Sequence, residues 1–448
     1  MTHTTATAEM TSEQRADYLD RLDGETLPAL MRSTWTWDDR ALRRQLSKIL
    51  VGLAAVRELR TGIVDGPASV IEAAECGVLA TAGEFIAEVL GPRLLADAGN
   101  PFRGPFLPLV SATGGLVSQA EQALNAISVE VTGHVIERNE SLSTILPETA
   151  WAENSSSARG LAQVAYSAGF TLSSTDYFAS AGLAAQAYSL VSASNGDCAD
   201  LRKATLAVAE ESGSWDPALV RARASSDGDS WRISGEKWFV PSALGADTIL
   251  TIARTVGGPS LYLVEASAPG VSINSLATLD ADRPLARVGF DETPAVMIGR
   301  EGAVGQVMNS IVDRATTALA AEQVGLVDRG LMTLSQLPPS CGDSEAWRRY
   351  TREIAAMEVL RWSATALLLR AIKLQGDNRI AESSVASAMA HIGCSSAARS
   401  MFRRLQTAGS SEFDPAVAQA IGLRVQTTDL LLGGPTAAHE RLLERLGI

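Results

Sequence analysis

The chain has 448 residues, 46% of them hydrophobic, and a formal net charge of −13. That length exceeds what a single hydrophobic core usually serves, so two or three domains are expected. The acidic balance, without any Lys- or Arg-rich run, excludes the footprint of a nucleic-acid binder; an anionic ligand held by a few local donors remains open.

Cys76, Cys198, Cys341 and Cys394 lie far apart and form no CxxC pair. They read as free thiols in a reducing compartment rather than as metal ligands or a disulfide framework. The Thr-rich start has neither a basic nor an apolar leader region, and no apolar stretch reaches the length of about 18 residues that a membrane span requires. A cytoplasmic protein without a membrane partner is expected.

Residues 1–36 read as a polar N-terminal tail. Residues 37–202 carry a helical signal, with Ala/Leu/Glu/Arg-rich runs such as Leu42–Arg60 and Ala158–Ala168; the Gly- and Pro-rich stretch Gly99–Pro108 reads as an irregular loop. From about residue 203 to 299 the pattern changes to short β-branched or alternating runs: Ala204–Ala209, Leu219–Ser225, Ser230–Ile233, Lys237–Val240, Thr248–Ala253 and Leu261–Ala266. Turn residues punctuate them at Ser226-Asp227-Gly228, Gly257-Gly258-Pro259 and Pro269-Gly270. Residues 300–448 return to a helical period, and four helices with up-and-down connections are expected. The fold class is therefore α+β and mostly helical, with a helical N-terminal domain, a middle β-domain and a C-terminal four-helix bundle.

Within the β-domain, the segment from Ser230 to Ala243, containing Gly235-Glu236-Lys237-Trp238-Phe239-Val240, is followed by Ala246-Asp247 and Ala253-Arg254. It resembles the "G-x-K-x-[WF]-[IV]" and "AD…AR" strands of the acyl-CoA dehydrogenases. Leu261 to Val271, Thr278 to Arg283, and Asp313-Arg314 through Gly325 continue the resemblance in the same order. It implies the family's three-part fold, an FAD between β-domain and bundle, and an acyl-CoA or acyl-carrier-protein substrate that loses an α-proton to a carboxylate and a β-hydride to the flavin. A homo-oligomer, or a hetero-oligomer with a second dehydrogenase-like chain, is implied as well.

Carried over by motif, the cofactor-facing residues are Ala209, Glu210, Ser214, Trp238, Phe239, Val240, Pro241, Gln406 and Gly409. Two of them depart from the pattern: Ala209 and Pro241 stand where the family offers a hydroxyl donor, and proline also lacks an amide hydrogen. The family's "R-x-Q-F-G" stretch, whose arginine reaches a neighbouring subunit's flavin pyrophosphate, has no counterpart over Ser335–Gly342. In the loop matched to the base-bearing segment, Gln406–Ala416, the base position falls on Ala416; the alternative position on the first bundle helix falls on Ala315. Glu412, Asp414 and Asp313 are then the acidic candidates for proton abstraction. These departures leave three readings open: an oxidoreductase with a non-standard substrate or reaction, a subunit that has lost its FAD and supports a catalytic partner, or a fold repurposed in specialised biosynthesis.

Other residues read more plainly. Asp313, Arg314 and Glu322 fit a solvated helix face with weak local ion pairs. Trp238 and Phe239 alternate along a strand, one expected in the core and the other outside, with either able to touch a flavin. None of the four histidines has ligand spacing, and Gly433-Gly434-Pro435 fits an inter-helix turn.

Overall fold

The structure is a computed structural model that describes residues 9–95, 101–131, 145–147, 155–173, 176–192, 201–228, 230–335, 344–407 and 415–448. Its N-terminal part contains α1 (Ser12–Arg21), α2 (Thr26–Ser33), α3 (Arg40–Arg60), α4 (Ala68–Leu90), α5 (Arg103–Val131) and α6 (Ala158–Thr171). A π-helical stretch over Phe178–Ala184 runs into α7 (Ala185–Val191).

Two expectations fail here for identifiable reasons. The stretch taken as a polar tail carries α1 and α2, and α1 opens on a capping box between Thr11 and Gln14 that satisfies first-turn amides. Leu19, Leu22, Leu27, Leu30 and Met31 are buried in the N-terminal core, so the polar letters around them are the outer faces of packed helices. The stretch expected as a loop supplies the start of α5, with Pro108 inside the helix. Pro105 falls in the first turn, where amides have no intrahelical partner to lose, and the rest of the helix outweighs the one bond lost at Pro108.

The middle domain consists of β1 (Ala204–Ala207), β2 (Arg223–Asp227), β3 (Ser230–Pro241), β4 (Thr248–Thr255), β5 (Gly258–Glu265), β6 (Val271–Ser275) and β7 (Leu285–Ile298). Strand β4 meets β2 on one side and β5 on the other, and β2–β3–β7–β5 completes the ring, so the sheet closes on itself. Closure removes the long free edges that an open sheet must protect. The two runs expected between Ser230 and Val240 form one strand, because Gly235 adopts φ 141° and continues the chain with a register shift instead of a turn. A Cβ on Gly235 would lie 2.8 Å from the Ala222 backbone. Of the run expected over Leu219–Ser225, Leu219 ends a 3-10 turn, Pro217–Leu219, capped by the Asp216 side chain, and the strand begins only at Arg223.

The C-terminal part contains α8 (Val304–Ser335), α9 (Ser344–Gly376), α10 (Ile380–Thr407) and α11 (Pro415–Leu430), as expected, followed by a fifth helix, α12 (Gly434–Arg445). Helix α8 is its axis. Glycines let α6 and α8 cross at backbone contact: a Cβ on Gly169 would lie 2.1 Å from the Glu322 carbonyl oxygen, and one on Gly325 would lie 2.2 Å from that of Tyr166. This crossing locks the N-terminal domain onto the bundle and fixes the environment of Glu322.

Candidate active site

One rim of the β-domain collects most of the cofactor-facing residues expected from sequence. Glu210, just beyond β1, accepts from the amides of Arg221 and Ala222, each at 2.8 Å, and from Lys237 Nζ at 3.1 Å. Lys237 also donates to the Val208 carbonyl at 3.0 Å and is wholly buried. Burial lowers the Lys237 pKa to about 8, against the opposing charge of Glu210. Burial works to raise Glu210, but the Ala222 amide, the Lys237 charge and the Arg221 amide together hold it below the usual carboxylate range. Glu210 is thus an anionic brace inside the rim.

The β3–β7 register shifts between Lys237 and Val240, and Phe239 adopts φ 57°. A bulge of this kind re-aims side chains, and its consequence corrects the simple alternation expected for the two aromatics. Lys237 and Val240 turn inward, Trp238 is half-buried, and Phe239 stands 43% exposed. The two rings lie 6.1 Å apart, Arg287 sits over Trp238 at 5.0 Å, and the Trp238 amide donates to the Ala209 carbonyl at 2.8 Å. Val240, buried with 1% exposure, packs its side chain in the core and offers a planar ligand nothing but its backbone.

Ala209 and Pro241 are also buried, and the Pro241 carbonyl accepts from Thr205 Oγ1 at 2.6 Å. Neither residue can donate a side-chain hydrogen bond. Two hydroxyls lie nearby in the sequence: Ser214 Oγ, which accepts from the Asp216 amide at 3.1 Å, and Ser242 Oγ, a buried atom without a hydrogen-bond partner. Ser242 is held at φ 51° and its amide donates to the Pro284 carbonyl at 2.9 Å. An exposed ring next to a half-buried one, with an orphaned hydroxyl three residues further along the chain, fits a planar, heteroatom-bearing ring, with Phe239, Ser214 and Ser242 as the side chains to hold it.

Of the acidic candidates, Asp313 is the one among the described residues. Asp313 is buried on α8 and paired with Arg445 of α12, not solvated. Burial raises its pKa to about 6, with Arg445 opposing. Gln406 is exposed in the last turn of α10, and Ala416 is exposed in the first turn of α11. Ala315 is fully buried on α8. Glu412, Asp414 and Gly409 lie outside the described residues.

The reading of Glu322 as a solvated residue is overturned. It is fully buried, and its carboxylate accepts from Tyr177 Oη at 2.5 Å and Arg283 Nη2 at 2.5 Å, with Arg424 Nη1 at 3.5 Å. Arg424 also reaches Asp280 at 3.0 Å and the Ser173 carbonyl at 3.0 Å, while Arg283 reaches Thr428 at 3.2 Å. Burial works to raise Glu322, but the charges of Arg283 and Arg424 outweigh it and keep the carboxylate ionised. Residues from all three domains meet at this junction, and Pro284, next to Arg283, links it through Ser242 to the rim. One sequence signal could have found it: Ala318 to Val327 is apolar nearly all round the helix, the mark of a buried helix whose single acid must be paired.

Comparison with known proteins follows the same outline. Residues 205–292 match the family described as "Acyl-CoA dehydrogenase, middle domain". The chain is built on the acyl-CoA dehydrogenase fold. Among solved structures it is similar to PigA with FAD and proline, at 18% identity and a TM-score of 0.58, covering 73% of this chain and 89% of that one. Butyryl-CoA dehydrogenase from Megasphaera elsdenii matches at 15% identity and a TM-score of 0.57, covering 73% and 90%. The ChsE4–ChsE5 complex from Mycobacterium tuberculosis matches at 18% identity and a TM-score of 0.56, covering 73% and 97%. No curated protein sequence matches the chain. The acyl-CoA dehydrogenase fold accounts for the order of helical domain, closed β-domain and bundle.

Proposed function

We propose that the chain is an FAD-dependent oxidoreductase of the acyl-CoA dehydrogenase type, acting on an acyl thioester carried by coenzyme A or a carrier protein, with a non-standard substrate or reaction. The observation that carries this reading is the bulged end of β3, which turns Phe239 outward beside Trp238, with an unpartnered Ser242 hydroxyl three residues further along the chain. Packed core strands have no use for such an arrangement, whereas a planar ring gains stacking area and a hydrogen bond from it. When bound, a flavin supplies two-electron acceptance.

This chain's own residues have narrower tasks. Phe239 and Trp238 cover a ring face and exclude water, Ser214 and Ser242 supply hydroxyls that Ala209 and Pro241 lack, and the Lys237–Glu210 pair holds the rim in shape. Proton removal falls to Glu412, Asp414 or Asp313, of which Asp313 has a pKa of about 6, suited to a base near neutrality but occupied by Arg445. The reading is tested by adding excess FAD to the purified protein, removing the unbound fraction, and quantifying protein and flavin together. Near-stoichiometric retention is expected; none would overturn a self-sufficient flavoenzyme.

A second reading, a subunit without flavin that supports a catalytic homologue, is favoured by one feature: Glu210, Asp313 and Glu322 are each engaged by cations. The relative solved as a ChsE4–ChsE5 complex is consistent with paired chains of this fold. Co-expression with a second dehydrogenase-like chain, followed by size-exclusion chromatography, separates the readings, because only the support role predicts that flavin appears solely in the mixed complex.

A further inference from the structure

A cleft of about 1000 Å³ lies between the C-terminal part of α5, the first turns of α9 and the end of α10. Four arginines line it, Arg348, Arg349, Arg352 and Arg404, against two glutamates, Glu345 and Glu353. In a chain of net charge −13 such a local excess of cations is out of character and calls for an anion. The pairing inside the cleft is incomplete. Arg349 and Arg404 share the single carboxylate of Glu353, at 3.2 and 2.9 Å, and Arg352 reaches Glu121 at 3.3 Å. The guanidinium of Arg348 has no ion-pair partner among the described residues, and it is exposed.

An aromatic platform stands beside these charges. Trp347 lines the cleft, is 40% exposed, and stacks on Tyr350 with ring centroids 5.8 Å apart and planes 25° apart. The Tyr350 hydroxyl donates to the Leu334 carbonyl in the last turn of α8, which fixes the lower ring and leaves the upper one to receive a ligand. Guanidinium groups match phosphate oxygens with paired donors, and an indole face stacks on a nucleobase.

From these features we propose that the cleft binds an adenine nucleoside diphosphate, with the diphosphate on Arg348 and its neighbouring arginines and the base on Trp347. That chemistry is common to FAD and to coenzyme A, so the proposal rests in part on the oxidoreductase reading above. It would place a phosphate contact on α9, in a chain whose Ser335–Gly342 stretch carries no cation.

The test uses the full-length protein and isothermal titration with ADP and inorganic pyrophosphate as probes. Wild type is expected to bind both, with affinity that falls as salt rises. Arg348→Ala should weaken both about tenfold, the loss of one charge-assisted contact. Trp347→Ala should weaken ADP about tenfold and leave pyrophosphate unchanged, because stacking involves the base alone. Both side chains are exposed, and circular dichroism of each variant checks the fold. Repeating the titrations with FAD and with coenzyme A identifies the source: a tenfold weakening by Arg348→Ala of either ligand supports the site. With any bound flavin first removed, no ADP or pyrophosphate binding by wild type, or binding indifferent to both variants, overturns the proposal even if FAD rebinds. ADP binding in a protein that retains no flavin would instead sustain the cleft and sink the flavoenzyme reading.

Discussion

The buried framework and the rim of the β-domain treat their polar groups in opposite ways. At the framework's centre, Glu322, Arg283, Arg424, Asp280 and Tyr177 satisfy one another in a space closed to solvent. At the rim, Phe239 is turned outward on a bulge and Ser242 Oγ has no partner. Buried ions removed from their partners are costly, so the framework is where substitutions should cost stability. Orphaned donors and exposed rings point instead toward a ligand, so substitutions at the rim should cost binding with little loss of stability.

The largest break in that contrast comes from deleting residues 1–36. Leu19, Leu22, Leu27, Leu30 and Met31 would all be lost from the N-terminal core, at about 1.5–3 kcal/mol for each fully buried side chain. Urea unfolding of the truncated protein should show no cooperative transition, or one at a much lower urea midpoint than the full chain. An unchanged midpoint would restore the picture of a dispensable tail.

Next in size is Glu322→Ala, which leaves Arg283 and Arg424 facing each other without their shared carboxylate. A loss of about 3–5 kcal/mol is expected, read by chemical denaturation. A change under about 1 kcal/mol, the size seen for surface pairs, would mean that solvent reaches the junction.

Smaller again is a pH effect carried by two buried histidines. Burial lowers the pKa of both His391 and His439 from 6.5 to about 4, against Asp429 in the case of His391. The unfolded chain takes up protons near 6.5 that the folded chain refuses until about 4. Stability is therefore complete above that window and falls as pH drops through it, by on the order of 3 kcal/mol per histidine at most. His439 contacts Ser47 Oγ through Nδ1 at 2.6 Å, so His439→Gln keeps a polar partner there and should flatten part of the acid slope. An identical slope in the variant would mean that His439 does not contribute to the acid loss.

The two regions also differ in how far the sequence reveals them. The rim is local: Glu210, Trp238 and Phe239 belong to short stretches whose residue types and turns mark strands, and their order along the chain matches a known family. What escaped was the bulge, because period-two alternation assumes an unbroken ladder and nothing in Trp238-Phe239 signals a positive φ. The junction is non-local, joining Tyr177, Arg283 and Arg424 to Glu322 across 145, 39 and 102 positions of sequence. No window of a few turns contains it, and an acid on a helix looks solvated until the faces of its neighbours are known. The same limit explains α1 and α2, whose apolar residues become a core only together with those of α3, α4 and α5.

The central claim is that the β3 bulge aims Phe239 at a bound flavin, and the most direct test compares FAD retention by wild type and Phe239→Ala after gel filtration, with thermal unfolding measured in parallel. The account predicts near-stoichiometric flavin in wild type, affinity about tenfold weaker in the variant, the loss of one stacking contact, and unfolding midpoints that coincide. Equal retention by both proteins, or a variant that loses stability instead of flavin, would contradict it and return Phe239 to the β-domain's packing.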